Sequence, residues 1–200
     1  MPNHVCNNVT ISGSKENLEK IRNLIIVNEE YVESLKKRNE GLEEGFKLEI
    51  PDLGRLSFNR LIPQPTTIFQ GDLGLKEEQK YGAENCWYDW RVEHWGTKWD
   101  AYEISIDTDY NAGCLRITFQ TAWNEPIPYM QKLAELCHEN DCCLDWEFAN
   151  EDFEQQMGTA YLDDESGELV IGYADYDPEL YESVWGCLPP YLEEEFEEEN

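Results

Sequence analysis

The sequence predicts an α+β fold, an antiparallel sheet with helices packed on one face. Three observations lead there. Short runs with period-two alternation recur, as in EISID (103–107) and LRITF (115–119). Helical apolar stripes separate them, as at Leu18, Ile21, Leu24 and Ile25. Gly, Pro, Asn and Asp punctuate the boundaries, where turns need their backbone preferences. A chain of 200 residues suits one domain with a sizeable core, and 40% hydrophobic residues argue against general disorder.

The elements follow in order. Residues 5–13, VCNNVTISG, read as a first strand closed by Gly13. Ser14 caps a helix, with Asn17 where a capping box prefers Glu. Residues 28–50 read as an insertion rich in Glu and Lys, a solvated helix or loop. LSFNRLI (56–62) reads as a second strand stopped by Pro63 and Pro65. Residues 66–85 read as a loop with a short helix, and Trp87, Trp90 and Trp95 have partly helical spacing. The runs 103–107 and 115–119 flank the turn DYNAG and form a hairpin. Pro126 and Pro128 open a helix whose apolar face carries Met130, Leu133, Ala134 and Cys137. CCLDWEFA (142–149) is a further strand, and TAYLD and ELVIGY flank the turn DESG. Asp177 and Pro178 then start a helix with Leu180, Val184 and Trp185 facing inward. LEEEFEEEN closes the chain as a like-charge run, with Tyr191, Leu192 and Phe196 available to dock its start.

A β-α-β…β-α-β core of this kind fits a ferredoxin-like sandwich with an extra C-terminal hairpin and helix. The term names a topology and implies no iron–sulfur cluster. On this reading residues 1–176 form the ferredoxin-like domain, and residues 177–200 form an acidic helix and tail packed on or trailing from it.

Four segments carry a resemblance to a known family: MPNHVCNNVTISG (1–13), LSFNRLIPQP (56–65), WYDWRVEHWGTKWDA (87–101) and TFQTAWNEPIPYM (118–130). In this order and spacing they resemble the YubB ferredoxin-like family of plasmids and phages. The resemblance covers most of residues 1–175. It implies the fold and a mobile-element setting, and no particular activity, since members mostly lack an assigned one. The 28–50 insertion and the acidic end after about residue 176 depart from the pattern.

The net charge is −28, and its distribution matters more than its size. Residues 1–132 hold 15 basic and 21 acidic side chains, whereas residues 133–200 hold no Lys or Arg and 22 acidic ones. Such a half repels nucleic acid and anionic membrane and attracts basic surfaces. The acidic candidates for that role are Asp163, Asp164, Glu165, Glu168, Asp175, Asp177, Glu193, Glu194, Glu195, Glu197 and Glu198.

No run of apolar residues is long enough to span a membrane, and the N-terminus lacks the pattern of a secretory signal. Seven cysteines, an odd number without a C-x-x-C pair, point to free thiols in a reducing cytoplasm. His4, Cys6, His94 and His138 lack the paired short spacings of a zinc site. The Asp107–Gly113 stretch echoes a calcium loop, but its Gly comes one position late and Thr118 replaces the closing Glu; a hairpin turn explains it. No catalytic motif is evident, and no cofactor or metal is expected. Cys6 and Cys86 would be nucleophiles only beside a histidine in space.

The densest cluster of chemistry is His94, Trp95, Thr97, Lys98, Trp99 and Asp100, with Thr121, Trp123 and Asn59 near it in the expected order. Trp faces with a lone Lys can stack on a base or planar ligand. They can equally fill the core, as aromatic side chains usually do. Three functions follow as expectations. The first is a non-enzymatic mobile-element accessory protein that binds a basic host or defence protein through its acidic C-terminal half, as a DNA mimic. The second is a small-ligand binder, such as a nucleotide-signal sponge, built on the HWGTKWD and TAW segments. The third is a hydrolase dependent on His94 or Asp100.

Overall fold

The protein is described by a computed structural model over residues 3–153 and 155–189. Six strands form one sheet: β1 (His4–Ser12), β2 (Tyr102–Asp109), β3 (Cys114–Ala122), β4 (Cys143–Asn150), β5 (Met157–Leu162) and β6 (Leu169–Ala174). Their order is β2-β3-β1-β4-β5-β6, and every neighbouring pair is antiparallel. The first four strands give the ferredoxin-like arrangement. The β5–β6 hairpin widens the sheet beyond β4, so β2 and β6 are its edges.

The crossover from β1 to β2 is long and helical. It contains α1 (Lys15–Ile25), α2 (Glu29–Asn39), α3 (Phe58–Leu61), α4 (Leu75–Tyr81) and α5 (Trp87–Trp95). Ser14 caps α1 by accepting the Asn17 N–H at 3.2 Å. The expected insertion begins with α2, capped by Asn28 at 2.9 Å from the Tyr31 nitrogen. Glu29 and Glu30 open it and Lys36, Lys37 and Arg38 close it, which complements the helix dipole. Leu35 is fully buried, so α2 is docked and only its other faces are solvated.

The expected strand at 56–62 does not form. Leu56 makes one isolated bridge to Ile26, and Phe58–Leu61 then turns as the short helix α3. The cause is non-local. Asp100 accepts the Phe58 N–H at 2.7 Å and the Ser57 hydroxyl at 2.6 Å, which holds the chain at the start of a turn.

The two faces of the sheet bury different clusters. Side chains alternate along a strand. Val5, Val9 and Ile11 of β1, Leu115, Ile117 and Phe119 of β3, and Leu144, Trp146 and Phe148 of β4 point to the inner face. There they meet Leu18, Ile21 and Ile25 of α1 and Tyr129, Met130, Leu133, Ala134 and Cys137 of α6 (Ile127–Glu139). Asn7 is buried among them and satisfied. It donates to the Val5 carbonyl and the Thr121 hydroxyl, and accepts the Trp146 indole N–H at 3.2 Å. The outer face carries Cys6, Ala149 and Met157, which α7 (Pro178–Trp185) covers with Leu180, Tyr181 and Val184. Asp177 caps α7 through the Leu180 N–H at 3.0 Å. The added helix therefore lies on the side opposite α1 and α6. Tyr191, Leu192 and Phe196, expected to dock the tail, lie outside the described residues.

Candidate functional site

Helix α5 is the organising element. Trp87, Arg91 and Trp95 are spaced by four residues, so they share one helix face. The Arg91 guanidinium carbon lies 5.1 Å from each of the two ring centroids. This is a cation–π sandwich made within a single helix. The fork is fixed further by two side-chain acceptors: Nε donates to Gln64 Oε1 at 3.3 Å and Nη2 to Gln70 Oε1 at 3.2 Å. Burial draws Arg91 below the ordinary arginine pKa, against the pull of Asp100 and Glu49.

Arg91 faces a small polar cavity of about 50 Å³. Arg55, Ser57, Asn59, Gln64, Trp95 and Asp100 complete its polar wall, with Glu49 at the exposed rim. Asp100 accepts from Ser57, Phe58 and Ala101, the last at 2.8 Å. Burial raises its pKa, and those three bonds and the Arg55 charge oppose the shift. Arg55 donates through Nη2 to the Ala101 carbonyl. Asn59 Oδ1 accepts the Gln64 N–H at 2.7 Å. Two enclosed donors, Gln64 Nε2 and Arg55 Nε, have no acceptor within the protein. An unmet buried donor costs about 1–3 kcal/mol, so the cavity is primed for an acceptor.

The remaining Trp-rich candidates separate into other places. Lys98 lies at the surface with Nζ 4.0 Å from the Trp99 centroid and 3.9 Å from that of Trp123. Both rings are more than a third exposed, and Trp123 has a left-handed backbone at φ 73°. His94 stacks on Trp90 at 4.3 Å and bonds the Trp90 carbonyl, away from the cavity lining. Thr97 and Thr121 are buried and bonded to the carbonyls of Ala122 and Asn124. Trp95 is in the core, only 2% exposed, and its indole donates to the Ile62 carbonyl at 3.0 Å. Of the nine expected ligand-site residues, the cavity gathers Asn59, Trp95 and Asp100.

The cysteines are free. Burial pushes the Cys6 thiol up to about 11, and raises Cys86 as well. Their thiols donate to the Val184 and Gly82 carbonyls, so neither is paired with a histidine as a nucleophile would need. No group of three or more His, Cys, Asp and Glu able to hold a metal occurs among the described residues. No described helix is long and apolar enough to cross a membrane.

The acidic candidates occupy the two ends of the β5–β6 hairpin. Asp163, Asp164, Glu165 and Glu168 form its turn, while Asp175 and Asp177 sit at the entry to α7. Six-residue strands set these ends roughly 17–20 Å apart. Asp163 accepts the Ser166 N–H and hydroxyl at 2.7 and 2.8 Å, and these bonds lower its pKa. Between the ends, Asp145 and Glu147 project from the outer face of β4, and Glu179 and Glu182 are exposed on α7. Arg116 of β3, also on the outer face, is paired with Asp107 at 3.5 Å. Glu193, Glu194, Glu195, Glu197 and Glu198 lie outside the described residues.

Residues 95–199 match the family model described as the ferredoxin-like domain in Api92-like protein. The chain belongs to the Api92-like family. The solved structure of Api92 from Yersinia pseudotuberculosis is similar in fold, with a TM-score of 0.53 at 10% identity. The likeness covers 89% of this chain and all of that one. No curated protein shows significant similarity.

The Api92-like match takes in Trp95, Asp100 and the whole acidic half, whereas Arg55, Gln64 and Arg91 precede it. These three, like Ser57 and the lining residues Leu48, Glu49 and Pro51, were not among the candidates in the sequence. One signal was present: W-x-x-x-R-x-x-x-W places a cation between two aromatic rings on a helix. Nothing comparable marks Gln64, which stands between Pro63 and Pro65.

Proposed function

We propose that this Api92-like chain is a non-enzymatic accessory protein of a plasmid or phage. It acts in the cytoplasm by binding a basic host or defence protein through its carboxylate-rich C-terminal half, as a mimic of a nucleic-acid backbone. One observation carries the reading. After Lys132 the chain has 22 acidic residues and no Lys or Arg, and the carboxylates on β4, the hairpin ends and α7 are directed outward. Spaced carboxylates resemble the charge line of a duplex, and they would occupy the basic channel of a nucleic-acid-binding protein. The resemblance of four segments to the YubB family supports the mobile-element setting. The same charge disfavours direct nucleic-acid binding.

The test is capture of host proteins on the immobilised chain at low and high salt. A basic nucleic-acid-binding protein retained at low salt, released at high salt and displaced by duplex DNA is the expected result. Capture of no basic protein at low salt, or capture indifferent to competing DNA, sinks the proposal. Glu179→Lys with Glu182→Lys should abolish capture.

A further inference from the structure

We propose that the cavity between α5 and the 55–64 segment binds an oxyanion group, a carboxylate or phosphoryl, either free or carried on a larger molecule. This site is independent of the acidic outer face.

The hydrogen-bond inventory points to the ligand class. Apart from the Glu49 carboxylate at the rim, the side-chain acceptors named around the cavity are engaged. Asp100 takes three donors, Gln64 Oε1 takes Arg91 Nε, and Asn59 Oδ1 takes the Gln64 N–H. The groups left without a protein partner are both donors, Gln64 Nε2 and Arg55 Nε. Gln64 is only 1% exposed, so its amide is aimed into the enclosure and not into bulk solvent. Such a site favours a ligand that brings acceptor oxygens.

Charge and rigidity agree with the inventory. Arg55 and Arg91 line the same cavity, in a protein whose net charge is −28. Arg91 is held between Trp87 and Trp95 and by Gln64 and Gln70, so its planar fork is set before a ligand arrives. Glu49 and Asp100 oppose an anion, but Asp100 is compensated by its three donors and by Arg55, and Glu49 stands at the exposed rim.

Size narrows the class. A cavity volume of about 50 Å³ has room for a small group such as a carboxylate or phosphoryl. A larger ligand would insert its acidic group and leave the rest outside, on the side of the exposed Glu49.

The experiment is NMR titration of the full chain with sodium phosphate, sodium acetate and adenosine 5′-monophosphate, each against sodium chloride of matched ionic strength. The expected result is saturable shifts of the Gln64 side-chain amide and the Trp95 indole N–H with at least one of the three probes and none with chloride. Phosphate or acetate acting alone identifies a free oxyanion. Tighter binding of the nucleotide identifies a group carried on a larger molecule. Gln64→Glu, which puts a carboxylate in the cavity with little change of volume, should weaken binding about tenfold or more. Lys98→Ala, outside the cavity, should leave it unchanged. Absence of saturable shifts with all three probes overturns the proposal, as does equal weakening in both variants. Because the resonances are read on the unaltered chain, poor folding of Gln64→Glu would not remove the test.

Discussion

The helical crossover and the C-terminal half handle charge in opposite ways. The crossover holds every Lys and Arg of the chain except Arg116 and Lys132. It invests several of them in enclosure: Arg91 lies between two tryptophans, and Arg55 braces the carbonyl beside a buried carboxylate. The C-terminal half has no Lys or Arg after Lys132, and most of its carboxylates among the described residues are exposed to solvent. Two aspartates show the difference at atomic scale. Asp100 accepts three hydrogen bonds, yet burial raises its pKa. Asp163 accepts bonds from one serine at the surface, and its pKa falls. The same side chain is a structural pin in one region and an open charge in the other.

Changes in the crossover should therefore cost stability, and changes in the acidic half should mainly cost association. The largest effect is expected from Trp95→Ala. It empties a buried site where the ring packs edge-on to Phe58 and Trp90, and should cost about 3–5 kcal/mol in urea denaturation. Gly96→Ala comes next. Gly96 ends α5 at φ 85°, and an added Cβ would lie 2.7 Å from Pro128 Cδ. A loss of about 1–3 kcal/mol is expected, read as a lowered Tm.

The two aspartates predict opposite pH slopes. The Asp100 pKa is raised on folding, so its contribution is full below the ordinary value of 3.8 and is lost as pH rises through the raised value. The Asp163 pKa is lowered, so its contribution is present above 3.8 and is lost as pH falls through the depressed value. Stability relative to Asp100→Asn should thus decline with rising pH, and stability relative to Asp163→Asn should increase. Slopes of the same sign would break the comparison. The smallest effect on stability is expected from Asp145→Asn with Glu179→Gln and Glu182→Gln. Each exposed change should stay within about 0.5 kcal/mol by denaturation. A larger loss would mean that these carboxylates hold the fold together.

Much of the scaffold was legible because its signals are local. Ser14 and Asp177 announce their helices through caps that need only the next three residues. The DYNAG turn and the flanking alternation specify the β2–β3 hairpin in the same way. The 56–62 segment carries a genuine strand-like alternation, but its fate depends on Asp100, more than forty residues later. The cavity was half legible for the same reason. Asn59, Trp95 and Asp100 were visible as chemistry, but Arg55 and Gln64 acquire a role only when the loop folds against α5. The Trp-rich segment looked like one cluster because helix α5 and the following turn are adjacent in sequence. Gly96 redirects the chain between them, so Trp95 enters the core and Lys98 reaches the surface.

The edge strand β6 draws a different benefit from its acidic ends. Its sequence, LVIGYA, has no charge and no proline, and such an edge readily pairs with another copy of itself. In an antiparallel pairing the end bearing Asp163–Glu168 of one molecule would face Asp175 and Asp177 of the next. Carboxylates would oppose carboxylates at both ends of the seam. The hairpin thus carries its own charge barrier against pairing of two such edges, while a strand with carboxylates at one end and lysines at the other would meet none.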